Sequence, residues 1–179
     1  MVDLALLQSV SYIAGALGVC VAAAYYIINL RINMKAKEME ICRYITDRMT
    51  SDTGMQTYGI LMQKNVEWKD HNDFMKKYGY DNVEFFGHWT SWFLLADTLG
   101  YIVKNKIARA ETIYDLGGWG FIRVWEKYKG FILSRREVAY GSDFYASFEY
   151  FAGEMLRIKK GRDASFGARL EQFRETGGP

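Results

Sequence analysis

Glu84 and His88 stand four residues apart, the spacing that brings two side chains to one face of a helix, and Asp97 and His71 could add further metal ligands. The group lacks a complete ligand set such as His-Glu-x-x-His, so a solvated helix face is the simpler reading and no metal is expected. With two histidines and no cysteine in an activating setting, no nucleophile is nominated and no catalytic residue is expected. Arg123, Glu126, Arg135, Arg136 and Glu149 form a second group of charges. An Arg–Glu pair between the last two long helices would fix their register; an anion site is the functional alternative. His88, Asp97, Arg123 and Glu149 are therefore the candidate ligand-binding residues, for a small anion or a metal, with no cofactor implied.

The run Gly117-Gly118-Trp119-Gly120 has the composition of a phosphate loop but lacks the preceding strand such a loop requires. Inside a helix each glycine costs about 1 kcal/mol against alanine. Close packing against a face formed by Trp89 and Trp92 is the expected reason for them, and a kink is the second choice. Cys20 and Cys42 lie about 33 Å apart if one helix carries both, so they read as structural thiols in a reducing compartment and not as a disulfide.

The elements that must position these residues are helical. A single proline and abundant Met, Tyr, Phe and Trp disfavour a turn-rich β architecture. Ser51–Gly54 reads as a break and a cap, followed by helices over 55–64, with Met55, Tyr58 and Met62 on one face, and over 70–78. Phe85, Trp89, Trp92, Ala96, Leu99 and Val103 recur in three- and four-residue steps after a cap at Asp81–Asn82. A further helix is predicted from Ala110 to Arg136, with Ile113, Gly117, Gly120, Val124 and Phe131 on one side. The last, from Asp143 to Lys159, carries Phe144, Phe148, Phe151, Met155 and Ile158. Together they predict an all-α fold, an antiparallel helical bundle over residues 34–160. Residues 161–179 are expected to be a flexible charged tail ending in Gly177-Gly-Pro, with at most a short helix over 166–173.

Ahead of this bundle, Leu4–Leu30 contains no charged residue, and a bilayer core takes about 20 apolar residues as a helix. Gln8, Ser9, Ser11 and Asn29 lie near its ends, which places an uncleaved span at about residues 12–30 within an anchor of residues 1–33. Tyr12, Tyr25 and Tyr26 suit the interfacial positions. No basic residue precedes the apolar run, which argues against a signal peptide. Arg31, Lys35 and Lys37 follow the span while Asp3 precedes it, so the N-terminus is expected outside and the bundle in the cytoplasm, at the cell membrane. The same three cations are expected at the lipid head groups, and the helix continues beyond them. Ala14, Gly18 and Ala22 form a small-residue stripe suited to helix pairing. A net charge of +2 argues against nucleic acid as a partner; the bilayer, and a protein partner or second copy, are the expected ones.

Leu99-Gly-Tyr-Ile-Val-Lys104, Ile122-Arg-Val-Trp-Glu126, Ile132–Arg136 and Phe148-Glu-Tyr-Phe-Ala152 are the stretches in which the chain resembles an uncharacterised family of prokaryotic membrane-anchored proteins. Its members have one N-terminal span followed by a small helical domain. The resemblance implies that architecture and supplies no activity. The functional expectation is a membrane-tethered interaction module or accessory subunit; the alternative is a bundle holding an anion or metal near Arg123 and His88.

Overall fold

The computed structural model describes residues 4–176, and the side chains over that span except those of Leu6, Ala139 and 172–176; Asp3 and Gly177–Pro179 lie outside the described residues. All regular structure among the described residues is helical. The chain divides into two compact units, Met1–Ile41 and Cys42–Pro179.

The first unit is built from the larger part of α1 (Leu4–Thr50), an unbroken helix of 47 residues. No proline interrupts it, and its serines are accommodated within the helix: the Ser9 and Ser11 hydroxyls each donate to the carbonyl four residues back, at 2.9 Å. Its apolar side chains are uncovered, with Val19 at 71% and Val21 at 68% exposure. This helix is long and apolar enough to cross a membrane. Ala14, Gly18 and Ala22 are exposed, as are Arg31, Lys35 and Lys37.

The second unit begins with the last turns of α1, where Cys42 and Ile45 are buried. Ser51 ends α1 and caps α2 (Asp52–Leu61), its hydroxyl accepting from the Gly54 N–H at 3.1 Å. Asp70 caps α3 (His71–Tyr78) and Asn82 caps α4 (Val83–Lys104) in the same way. After α4 come α5 (Ala110–Ile113), α6 (Gly120–Arg135), α7 (Ala146–Arg162) and α8 (Phe166–Thr176). Single π-type turns, Tyr114–Gly118 and Arg136–Tyr140, follow α5 and α6.

The six-residue stripe of α4 is buried along its whole length. Trp89 packs edge-on against Phe131, Phe93 against Tyr128, and Trp92 stacks on Phe121, so α6 runs antiparallel to α4. Trp125 meets Phe148, Phe121 meets Phe151, and Gly118 approaches Met155, so α7 reverses direction again. The result is an up-down-up bundle in which α4 and α7 lie parallel. They approach closely at Gly100, where an added Cβ would overlap the Ser147 backbone. Ring pairs of this kind contribute about 0.5–1.5 kcal/mol each beyond buried area, and Phe74, Trp89, Phe93, Phe121, Tyr128 and Phe148 link them into one aromatic core.

Four features differ from the sequence expectations. The predicted Ala110–Arg136 helix breaks at Gly117, whose φ of 100° is a left-handed conformation that β-carbon sterics disfavour in other residues. The neighbouring Gly118 packs against the Ile113 carbonyl and Met155 sulfur, not against Trp89 and Trp92; a Cβ there would stand 2.7 Å and 2.9 Å from them. The glycines thus serve a kink and a close approach to α7. On α2 the buried face is Gly54, Thr57 and Leu61, while Met55 is 61% exposed. Gly54 lies against the Arg48 and Met49 carbonyls, so close backbone approach and not apolar bulk selects the face. Finally, α7 extends to Arg162 and α8 buries Leu170, so the expected tail is largely helical.

Candidate functional site

The structure does not bring the four candidate residues together. His88 Nδ1 lies 2.7 Å from the Thr57 hydroxyl, a hydrogen bond joining α4 to α2. Asp97 stands nine residues further along α4, about 13 Å of helical rise away. Its carboxylate accepts the Phe148 N–H at 2.8 Å. Tyr145, the residue preceding α7, is left-handed (φ 53°) and supplies no side-chain cap, so Asp97 provides from α4 the acceptor that α7 lacks locally. Glu149 is bonded to Arg136 at 2.6 Å, the inter-element Arg–Glu pair that the charge pattern suggested. Glu84 is exposed, and no group of three metal-ligating side chains occurs among the described residues. His88, Asp97 and Glu149 are thus each engaged in a bond between elements.

Arg123 lines a cleft of about 200 Å³ with Trp119, Ile122, Lys159, Phe166 and Arg169. Three elements build it. Trp119, Ile122 and Arg123 come from the first turns of α6, displayed by the kink at Gly117. Lys159 comes from the last turn of α7, with Phe166 and Arg169 from α8.

The loop between α7 and α8 is shaped by its own sequence. The Asp163 carboxylate accepts from the Ser165 N–H at 3.2 Å and hydroxyl at 2.8 Å, an Asx-type turn that starts α8. Arg169 donates to the same carboxylate and to the Ser165 hydroxyl. These bonds, Ser165 first and Arg169 second, hold the Asp163 carboxyl below its usual value. Lys159 Nζ sits 5.2 Å, and the Arg169 guanidinium 5.7 Å, from the Phe166 ring centre. Cations set against a ring keep their charge while their stems cover apolar surface. Outside the cleft's lining, Tyr58 is pushed up by burial, an effect the Arg123 charge opposes. Trp119 is 49% exposed, a large amount for a tryptophan in this domain. Such a cleft can hold an anion by charge and an apolar group by its Trp119–Ile122 wall.

Sequence reasoning named Arg123 and not Lys159, and it missed Phe166 and Arg169 because it placed residues 161–179 in a loose tail. The pattern Asp163-x-Ser165 directly before Phe166 is a helix-start signal that could have revealed α8.

Arg135 is a second unexpected feature. It is 5% exposed and makes no ion pair among the described residues. Its guanidinium donates to the Tyr140 hydroxyl at 2.7 Å and the Met75 sulfur at 3.1 Å, and lies 4.5 Å from the Tyr140 ring centre, with Phe131 and Phe144 also close. The aromatic faces take the place of a counter-ion. Hydrogen bonds with Tyr140 and with Arg135 lower Tyr80 from its ordinary value, and burial pushes Tyr145 up to about 12. Buried among these rings, Arg135 acts within the fold.

Comparison with known proteins returns no family model, no curated protein and no solved structure that matches this chain.

Proposed function

We propose that this chain is a membrane-tethered helical module that works by binding, as an interaction domain or accessory subunit of a membrane assembly, and carries out no chemistry of its own. The observation that carries the reading is the state of α1: its most apolar stretch is entirely uncovered. Leaving so much apolar surface in water is unfavourable by about 25 cal/mol per Å², and a bilayer removes that penalty for a helix of this length. The exposed Arg31, Lys35 and Lys37 support an outside N-terminus and a second unit in the cytoplasm, at the cell membrane. The uncovered Ala14, Gly18 and Ala22 support pairing with another span, from a second copy or from a partner. An anchored helical domain is also what the resemblance at Leu99–Lys104 and Phe148–Ala152 implies. Support for binding in place of catalysis comes from His88, Asp97 and Glu149, each engaged in a structural bond.

Membrane fractionation followed by alkaline carbonate extraction tests the tether: the chain stays in the pellet, and release into the supernatant overturns it. Labelling of cysteines introduced near residue 165 is expected only after cells are permeabilised; labelling from outside intact cells reverses the orientation. Chemical cross-linking in native membranes is expected to yield a discrete dimer or hetero-complex. A chain that remains uncross-linked removes the module reading.

A further inference from the structure

We propose that a small cavity in the second unit, where the last turn of α1 meets α2 and α4, is a binding site for a monatomic anion of the chloride class. Arg48 of α1, Thr53 and Thr57 of α2, and Ser91 and Trp92 of α4 line it. The centre of a water-sized sphere has about 10 Å³ in which to move there, room for one monatomic ion or one water and for no polyatomic ligand. Trp92 is the residue that calls for an occupant. It is 5% exposed, and its indole N–H is buried without an acceptor. The ring is flanked by Phe121, stacked with centres 5.1 Å apart, and by Tyr58 at 5.8 Å, and it borders the cavity. A buried donor with no partner forfeits the hydrogen bond it made to water in the unfolded chain. An acceptor seated in the cavity restores that bond.

The rest of the lining sets the charge of the occupant. Every polar side chain on it can donate, and none is a carboxylate. Arg48 brings a full positive charge. Its guanidinium donates to the Ser91 hydroxyl at 3.3 Å and makes no ion pair among the described residues, while the neighbouring Asp47 is paired with Arg43. Asp52, the acid in the first turn of α2, is not part of the lining. Having accepted from Arg48, the Ser91 hydroxyl keeps its own proton to donate into the cavity. The Thr57 hydroxyl lies 2.7 Å from His88 Nδ1. With the ring proton on Nδ1, Thr57 accepts from His88 and turns its own proton to the cavity. Thr53 stands in the first turn of α2, at the positive end of that helix. A water must place two protons of its own on acceptors, whereas a halide accepts from every side, and a wall of donors around one cation favours the halide. With contacts on α1, α2 and α4, the bound ion braces the last turn of α1 against the bundle.

The test uses the full-length chain in detergent micelles, with indole nitrogen–proton correlation NMR as the local reporter. The chain has five tryptophans, and Trp92→Phe identifies the Trp92 signal by its loss. Exchanging sodium gluconate for sodium chloride at constant ionic strength is expected to shift that signal saturably, with half-saturation in the millimolar range. Bromide is expected to act in the same way, and sulfate, too large for the cavity, to leave the signal where it is. Arg48→Gln and Ser91→Ala are each expected to weaken chloride binding about tenfold, the loss of one hydrogen bond to a charged group. Near-UV circular dichroism checks that each variant keeps its fold. A Trp92 signal indifferent to chloride overturns the proposal, as do an equal shift with sulfate and a chloride affinity that neither substitution alters. If a variant does not fold, the unsubstituted chain decides the matter through the magnetisation transfer between the Trp92 N–H and water. Loss of a long-lived water contact as chloride is added supports the anion site. A contact that persists in saturating chloride shows water to be the occupant and overturns it.

Discussion

Replacing Gly100 by alanine separates the demands of the helix from those of the packing, because the two predict opposite signs. Gly100 lies in the interior of α4, where alanine is favoured over glycine by about 1 kcal/mol. The structure places it against α7, and a Cβ would overlap the Ser147 carbonyl and stand 3.1 Å from the Ser147 Cα. The obstacle is backbone and cannot rotate away, so α4 and α7 must part by ~1 Å or more to restore ordinary contact. Overpacking of this kind costs about 1–3 kcal/mol, and a backbone obstacle belongs at the upper end. The same parting stretches the Asp97–Phe148 bond three residues away, a further loss of about 1 kcal/mol. Set against the propensity gain, the net is a destabilisation of about 2–3 kcal/mol, or a fall in Tm of roughly 6–10 °C for a domain of this size. The assay is thermal unfolding of the full chain in micelles, followed by near-UV circular dichroism, since Trp89, Trp92 and Trp125 all lie in the core. Gly130→Ala on α6 and Gly153→Ala on α7 are the controls: both sites are exposed and nothing stands within 4 Å of an added Cβ. Both are expected to raise Tm by a few degrees. A Gly100→Ala protein as stable as the parent would refute the close approach of α4 and α7, and with it the assignment of Asp97 as the cap of α7.

Asp97→Ala is expected to cost about 1–2 kcal/mol by removing that cap, whereas Asp97→Asn, which keeps an acceptor, costs less than half as much; chemical denaturation midpoints measure the difference. Arg135→Ala is expected to lose about 2–4 kcal/mol, because it empties a site packed by Phe131, Tyr140 and Phe144, while Arg135→Met, which fills the space without charge, falls within about 1.5 kcal/mol of the parent in the same assay. His71 is held below its ordinary value by burial and, secondarily, by Arg135, with Asp70 opposing. In the folded chain it therefore resists protonation until lower pH than in the unfolded chain. Its contribution is complete above the ordinary value of about 6.5 and is lost as pH falls through the lower folded value. His71→Phe, which retains the stack on Phe131, is expected to flatten the decline in urea midpoint over that window; an unchanged decline refutes the assignment.

What was legible in the sequence divides along a physical line. The α4 stripe from Phe85 to Val103 was readable because burial on one helical face imposes a local period, and all six positions are buried. The caps at Ser51 and Asn82 were readable because a cap lies within three residues of the group it serves. Asp97 and Phe148 are separated by 51 positions, and no local pattern marks the carboxylate of one helix as the cap of another. Taken alone it looks like a ligand, which is how an acid on an aromatic helix is naturally read. The α2 face was misread for a related reason: apolar bulk suggested Met55, Tyr58 and Met62, but close contact selects small residues, Gly54 and Thr57, where backbones meet. The same logic runs through the glycines at 117 and 118. Their cost in a regular helix was visible, yet a glycine required for its φ and a glycine required for its missing Cβ look alike in sequence and differ only once α7 is in place. The candidate site follows from that difference. The turn at Gly117 sets the start of α6, the start of α6 sets Trp119 and Arg123, and the cleft exists because α8 packs Leu170 into the domain and brings Phe166 and Arg169 across from them. A residue can be nominated from its type, as Arg123 was. Its neighbours from α7 and α8 are determined by packing between helices, and that information lies in no single stretch of the chain.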